Sequence, residues 1–193
     1  MAVALCAAAF VTTVARAEDD LGIVSASPIT IAEPVNPQPG MVFRGYCEGI
    51  LLGDKFKKQL ATTLASSSAV KTTVVKSEQF SFEPFLKEVK INQGVWEGFL
   101  KCKRTAKCTI LIKQKSMRGA GFLLFVNGKK VMATWEQGAV DVDLKAGFNH
   151  IKIITQTRSP VEVFLGPTGS TNPPKPLSPN MLFHDEKSES DVI

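Results

Sequence analysis

Residues 121–154 read GFLLFVNGKKVMATWEQGAVDVDLKAGFNHIKII, and this stretch decides the fold. Asn127-Gly128 separates two strand-forming runs, LLFV and KKVMAT. An Asn-Gly pair accepts φ > 0 at both central positions of a type I′ turn, whose twist suits a hairpin. Val140, Val142 and Leu144 then alternate with Asp141 and Asp143, which gives one buried face and one wet face. Ala146-Gly147 turns the chain into FNHIKII, where Phe148 opens another strand and Ile151 and Ile153 share a face. Strands this closely spaced, with no helical period between them, point to an antiparallel sandwich.

Upstream, residues 95–102 (VWEGFLKC) and 108–115 (CTILIKQK) read as strands, as does the β-branched segment 70–76. Downstream, residues 161–165 (VEVFL) form a last strand before a coil with five prolines, GPTGSTNPPKPLSP. One short helix is expected over residues 54–65, where Phe56, Leu60 and Leu64 recur at helical spacing behind Asp54 as N-cap. The fold class is therefore all-β: an antiparallel β-sandwich with one short helix and coil tails.

Of the 193 residues, 44% are apolar and 21% charged, enough to bury a core and inconsistent with a disordered chain. No run of 18 apolar residues is present, which excludes a multi-pass helical membrane protein. Residues 2–14 (AVALCAAAFVTTV) run into Ala15-Arg16-Ala17, the h-region and small-x-small triplet of a secretory signal, although no Lys or Arg precedes the apolar run. The expected organisation is a signal over 1–17, a Pro-rich acidic linker over 18–40, the sandwich over 41–184 and an acidic tail over 185–193. The protein would be exported to the periplasm, the cell surface or the medium. Residues 41–184 hold 21 basic and 10 acidic side chains, a formal charge of +11. Such a body is either a lysine-rich soluble surface or a face that attracts anionic partners. Nucleic acid is not among them, because no stripe of arginines and aromatics is present.

Several strings carry a family resemblance. They are Trp96-Glu97-Gly98-Phe99-Leu100, the hairpin FVNGKKV at 125–131 with Trp135, and VDVDLKAGFNHI at 140–151. Phe164-Leu165-Gly166-Pro167 and Leu182-Phe183-His184 follow, and Phe43-Arg44-Gly45-Tyr46 stands where an opening strand would. This order resembles the protective-antigen-type (PA-fourteen) domain family, a β-sandwich found in bacterial toxins, adhesins and glycosidases. The resemblance implies a binding domain for sugars. Sugar-binding members carry a paired-aspartate turn that holds calcium; here residues 116–121 read SMRGAG, with no carboxylate and with Arg118. Calcium takes six to eight hard oxygen ligands, so no metal and no cofactor is expected.

No catalytic constellation emerges. His150 reads as a polar residue on a strand face, His184 reads as part of the tail, and Asp141 with Asp143 read as a solvated face. Trp135 and Glu136 form a pair able to hold a sugar ring, as do Trp96 and Glu97, although tryptophan here reads first as core. Cys102 and Cys108 bracket KRTAK between two strands, so a disulfide closing that hairpin is expected, leaving Cys47 as a buried thiol or an intermolecular link. Lys101, Lys103, Arg104 and Lys107 are the densest basic cluster and the expected contact surface. The function read from the sequence is an exported, non-enzymatic domain that binds a cell-surface glycan or envelope protein, adhesin-like or accessory. The alternative is a structural subunit of a bacterial envelope, secretion or pilus assembly.

Overall fold

The computed structural model describes residues 31–47, 68–114, 121–134, 137–156 and 160–186. The signal, the helix at 54–65, residues 116–120, and Trp135 with Glu136 lie outside them. Among the described residues thirteen strands form two antiparallel sheets, an all-β sandwich. The larger sheet is built on β5 (Gln93–Cys102) and β10 (Gly147–Thr155), which pair along nine residues. Beyond β10 lie β7 (Phe122–Val126) and β8 (Lys129–Thr134). On the other edge of β5 lie β2 (Met41–Tyr46), with β3 (Lys71–Val75) outside it, and β13 (Leu182–Asp185), with β1 (Pro37–Pro39) outside it. The smaller sheet orders β12 (Lys175–Pro176), β11 (Val161–Pro167), β6 (Ala106–Gln114) and β9 (Gly138–Leu144), and β4 (Gln79–Phe80) also pairs with β11.

The β7–β8 hairpin forms where Asn127-Gly128 placed it. Asn127 and Gly128 have φ of 50° and 77°, and among the described residues Asn127 alone has positive φ without being glycine. The asparagine does more than turn the chain. Its Oδ1 accepts the His150 amide at 2.9 Å and its Nδ2 donates to Asn149 Oδ1 at 3.1 Å. Asn149, wholly buried, in turn donates to the Lys145 carbonyl at 2.9 Å and accepts the Lys145 amide at 3.0 Å. A buried amide satisfied this fully stabilises the fold instead of costing desolvation.

Gly98 marks a change of partner. β2 pairs with β5 up to Val42 opposite Glu97, and β13 takes over with Phe183 opposite Phe99. A Cβ on Gly98 would lie 2.5 Å from the Phe183 carbonyl oxygen, so only glycine lets the two strands share that edge.

Between the sheets lies one large core, in which Phe43, Phe82, Trp96, Phe122 and Ile112 are fully buried. Trp96 sits at its centre, with ring centroids 4.9 Å from Phe43 and 5.9 Å from Phe80.

Two expectations change. The acidic linker and tail are not wholly outside the domain, because Pro37–Pro39 pair with Phe183–Asp185. Proline lacks an amide donor, and an edge strand tolerates that. The segment between Cys102 and Cys108 is not a hairpin: β5 belongs to the larger sheet and β6 to the smaller, so the chain crosses the sandwich there.

Candidate functional site

Alternation along β5 sends Trp96 and Leu100 into the core and leaves Glu97, Phe99 and Lys101 on the outer face of the larger sheet. β10 does the same with Phe148, His150 and Lys152, since Ile151 and Ile153 are core. Register completes the surface. Lys101 lies beside Phe148, Phe99 lies between Phe183 and His150, and Glu97 lies between Val42 and Lys152.

Three cationic or imidazole groups converge on the Glu97 carboxylate. Arg44 Nη1 is 3.0 Å from Oε2, His150 Nε2 is 3.1 Å from Oε1, and Lys152 Nζ is 3.9 Å from Oε1. A carboxylate only accepts, so His150 donates through Nε2. Burial alone would raise the Glu97 pKa, but the His150 hydrogen bond and the charges of Lys152, His150 and Arg44 outweigh it and hold the group at about 2. Beside this cluster is a cavity of about 260 Å³ lined by Arg44, Glu97, Phe99, His150, His184 and Asp185, which include both histidines of the chain.

The aromatic end of the same face continues from the cavity. Phe99 meets His150 edge-on at 5.6 Å and Phe148 at 6.3 Å, and Phe148 meets Phe183 at 5.7 Å. The Lys101 ammonium lies 5.3 Å from the Phe148 centroid and 5.6 Å from that of Phe183.

The Glu97 pKa carries a stability prediction. A carboxyl whose folded pKa lies below the ordinary 4.5 stabilises the fold above that pH, and the contribution is lost as pH falls toward 2. Solvent reaches the partly exposed pair, which limits the contribution to about 1–2 kcal/mol. Urea unfolding at pH 6 and pH 3 should therefore show a larger drop for the wild type than for Glu97→Gln. Equal drops would remove the ion cluster from the stability of the fold.

The sequence-predicted residues are only partly brought together. Lys101 faces outward on the larger sheet, Lys103 and Arg104 are exposed in the crossover, and Lys107 faces outward on the smaller sheet opposite Asp143. The basic cluster is thus split across two faces of the sandwich, because its two strands lie in different sheets. Trp96 is core. Asp141 and Asp143 are exposed, with Asp141 Oδ1 accepting the Thr109 hydroxyl at 2.7 Å. His184 is not in a tail but is a buried residue of β13, where its strand pairs with both β1 and β5.

Cys102 and Cys108 are free thiols in this structure. They stand on either side of the crossover, not as a cross-strand pair, and each packs against the core from its own sheet. Burial raises the pKa of both; the adjoining Cys108 raises Cys102 further, while Arg104 opposes the rise at Cys108. Sequence reasoning missed Arg44, Phe99, Phe148, Lys152 and Phe183. The available signal was the non-core parity of the two central strands, Glu97-x-Phe99-x-Lys101 and Phe148-x-His150-x-Lys152.

Among the described residues no three His, Cys, Asp or Glu side chains come together to hold a metal, and no helix is long and apolar enough to cross a membrane.

No family model and no curated protein matches the chain in sequence. Its sandwich is similar to the PA14 domain of the antifreeze protein MpAFP, with a TM-score of 0.54 and 13% identity over 80% of this chain and 95% of that one. The PA14 sugar-binding domain from an RTX adhesin gives a TM-score of 0.54 and 14% identity, covering 76% and 98%. The A domain of epithelial adhesin 9 from Candida glabrata, solved in complex with Galβ1-3GlcNAc, gives 0.56 and 11%, covering 80% and 95%. An anti-sigma factor domain-containing protein matches with a TM-score of 0.57 and 14% identity over 80% of this chain, which spans about half of its length (51%). The chain has a PA14-type fold.

Proposed function

We propose that this protein is an exported carbohydrate-binding domain of the adhesin type, without enzymatic activity and independent of calcium. The observation that carries the reading is a PA14-type sandwich that bears, on its larger sheet, a polar cavity edged by an aromatic ring. Two proteins of similar fold are described as a sugar-binding domain and as an adhesin complexed with a disaccharide. Arg44 and Glu97 offer a donor and an acceptor side by side, as paired sugar hydroxyls require, and Phe99 offers an apolar surface for ring C–H groups. Residues 116–121 supply no carboxylate for calcium.

A glycan array probed with the purified protein, with and without chelator, tests this. Retention of a defined glycan class that chelator leaves unchanged is the expected result. Retention of no glycan, together with co-purification of envelope proteins, would replace this reading with that of a structural subunit.

Export also exposes the thiols to oxidants. A thiol–disulfide oxidant there would remove two electrons and two protons from Cys102 and Cys108 and join them across the seam between the sheets. The bridge would stabilise the fold by about 2 kcal/mol. Peptide mass mapping of the exported protein without reduction is expected to show the joined pair; two separately alkylated cysteines would sink the idea.

A further inference from the structure

We infer that the ligand is an acidic glycan lying along the outer face of the larger sheet, with a sugar ring in the Arg44–Glu97–His150 cavity and a carboxylate or sulfate at Lys101. This deepens the carbohydrate-binding reading and rests on it. Three observations converge.

The first is continuity. Glu97, Phe99 and Lys101 stand at two-residue intervals on one face of β5, so Glu97 in the cavity and Lys101 are about 13 Å apart along the strand. That span exceeds one ring and suits a short oligosaccharide. Half-buried Phe99, Phe148 and Phe183 form the floor between the two ends.

The second is the uneven pairing of charge. At the cavity end Arg44 and Lys152 are drawn to Glu97, and Asp185 adds a second carboxylate, so that end is balanced and suits neutral hydroxyls. At the other end Lys101, Lys103 and Arg104 form no ion pair among the described residues, while the nearby Lys145 is held by Glu33 at 2.7 Å. The Lys101 ammonium rests instead over two phenyl rings. A cation held over rings keeps its charge for an anion, and the charge-assisted bond that results is stronger than a neutral one.

The third is scale. A stable protein interface covers about 800 Å² on each partner around an apolar centre. Among the described residues the exposed large apolar side chains are Val35 and Val70, neither of them on this floor. A cavity of about 260 Å³ beside half-buried rings fits sugar rings better than a protein surface.

The test uses an array that prints carboxylated and sulfated oligosaccharides beside their neutral parent chains. Titration calorimetry then follows with the best acidic chain and its parent. The acidic chain should bind roughly tenfold more tightly, the size of one charge-assisted contact. Lys101→Gln should erase that preference, weakening the acidic chain about tenfold more than its neutral parent. Because Lys101 is exposed, the variant should fold normally. Phe148→Leu should weaken both chains, and Lys113→Gln, on the outer face of the smaller sheet, should change neither.

Equal binding of acidic and neutral chains would overturn the inference and leave the carbohydrate reading standing. So would loss of the preference in Lys113→Gln as large as in Lys101→Gln, since that marks a diffuse field and not a site. Retention on vesicles of an anionic phospholipid with no retention of any acidic chain would assign the lysines to a membrane surface instead. Failure to bind any glycan, acidic or neutral, would defeat the carbohydrate reading itself.

Discussion

Trp96→Ala should lower the stability of the domain by about 3–5 kcal/mol, the usual cost of emptying a buried tryptophan site. The indole is 1% exposed and stands between Phe43 and Phe80, which approach it from the two sheets. Phe43 is itself stacked on Phe85 at 4.9 Å, so the cavity would open where four aromatic rings meet and where little can collapse to fill it. Against a total stability of about 5–15 kcal/mol, such a loss leaves a large unfolded fraction. Urea unfolding followed by far-ultraviolet circular dichroism measures it. A loss below about 1 kcal/mol would mean that the core is organised around other residues.

Gly98→Ala should be the second most damaging change, for a different reason. The new methyl would meet the Phe183 carbonyl oxygen at 2.5 Å and Met41 Cγ at 3.1 Å. The methionine can swing away, but a backbone oxygen cannot. β13 must move off β5, which overpacking costs of about 1–3 kcal/mol express as a fall in Tm of about 2–12 °C. The pairing of Leu182 with Leu100 and of Phe183 with Phe99 would be lost first. Hydrogen exchange at residues 182–185 should therefore rise more than at β7 and β8. If protection falls evenly through both sheets, Gly98 matters for backbone entropy and not for the close approach of β13. The glycan binding proposed above should fall with β13 as well, because Gly98, His184 and Asp185 line the cavity.

Much of the sandwich was legible because it rests on local rules. The Asn127-Gly128 turn needs only two residues that accept positive φ, and the Val140–Asp141–Val142–Asp143–Leu144 alternation needs only the two-residue period of a strand. The short strands at 37–39 and 182–185 were harder to read. The first pairs only with the second, at a sequence distance of about 150 residues, and the second is held between it and β5.

The candidate site shows where that reading stops. From the sequence alone, Lys101, Lys103, Arg104 and Lys107 form a single basic hairpin, and Cys102 with Cys108 form its staple. The tertiary structure sends β5 and β6 to opposite sheets, so Lys101 and Lys107 face opposite sides of the molecule. Glu97, His150, Lys152 and Arg44 lie on three strands up to 108 positions apart, and no local pattern announces that their side chains meet at one carboxylate. By itself the sequence determined the all-β class, the hairpin, the buried faces and the lack of any carboxylate at 116–121. Those features depend on backbone preference, side-chain alternation and ligand chemistry, all properties of neighbouring residues. Only the tertiary structure decided which strands pair, and therefore which charges share a face. Strand pairing is chosen by how two apolar faces pack across the whole molecule, and that choice is written in no short stretch of the chain.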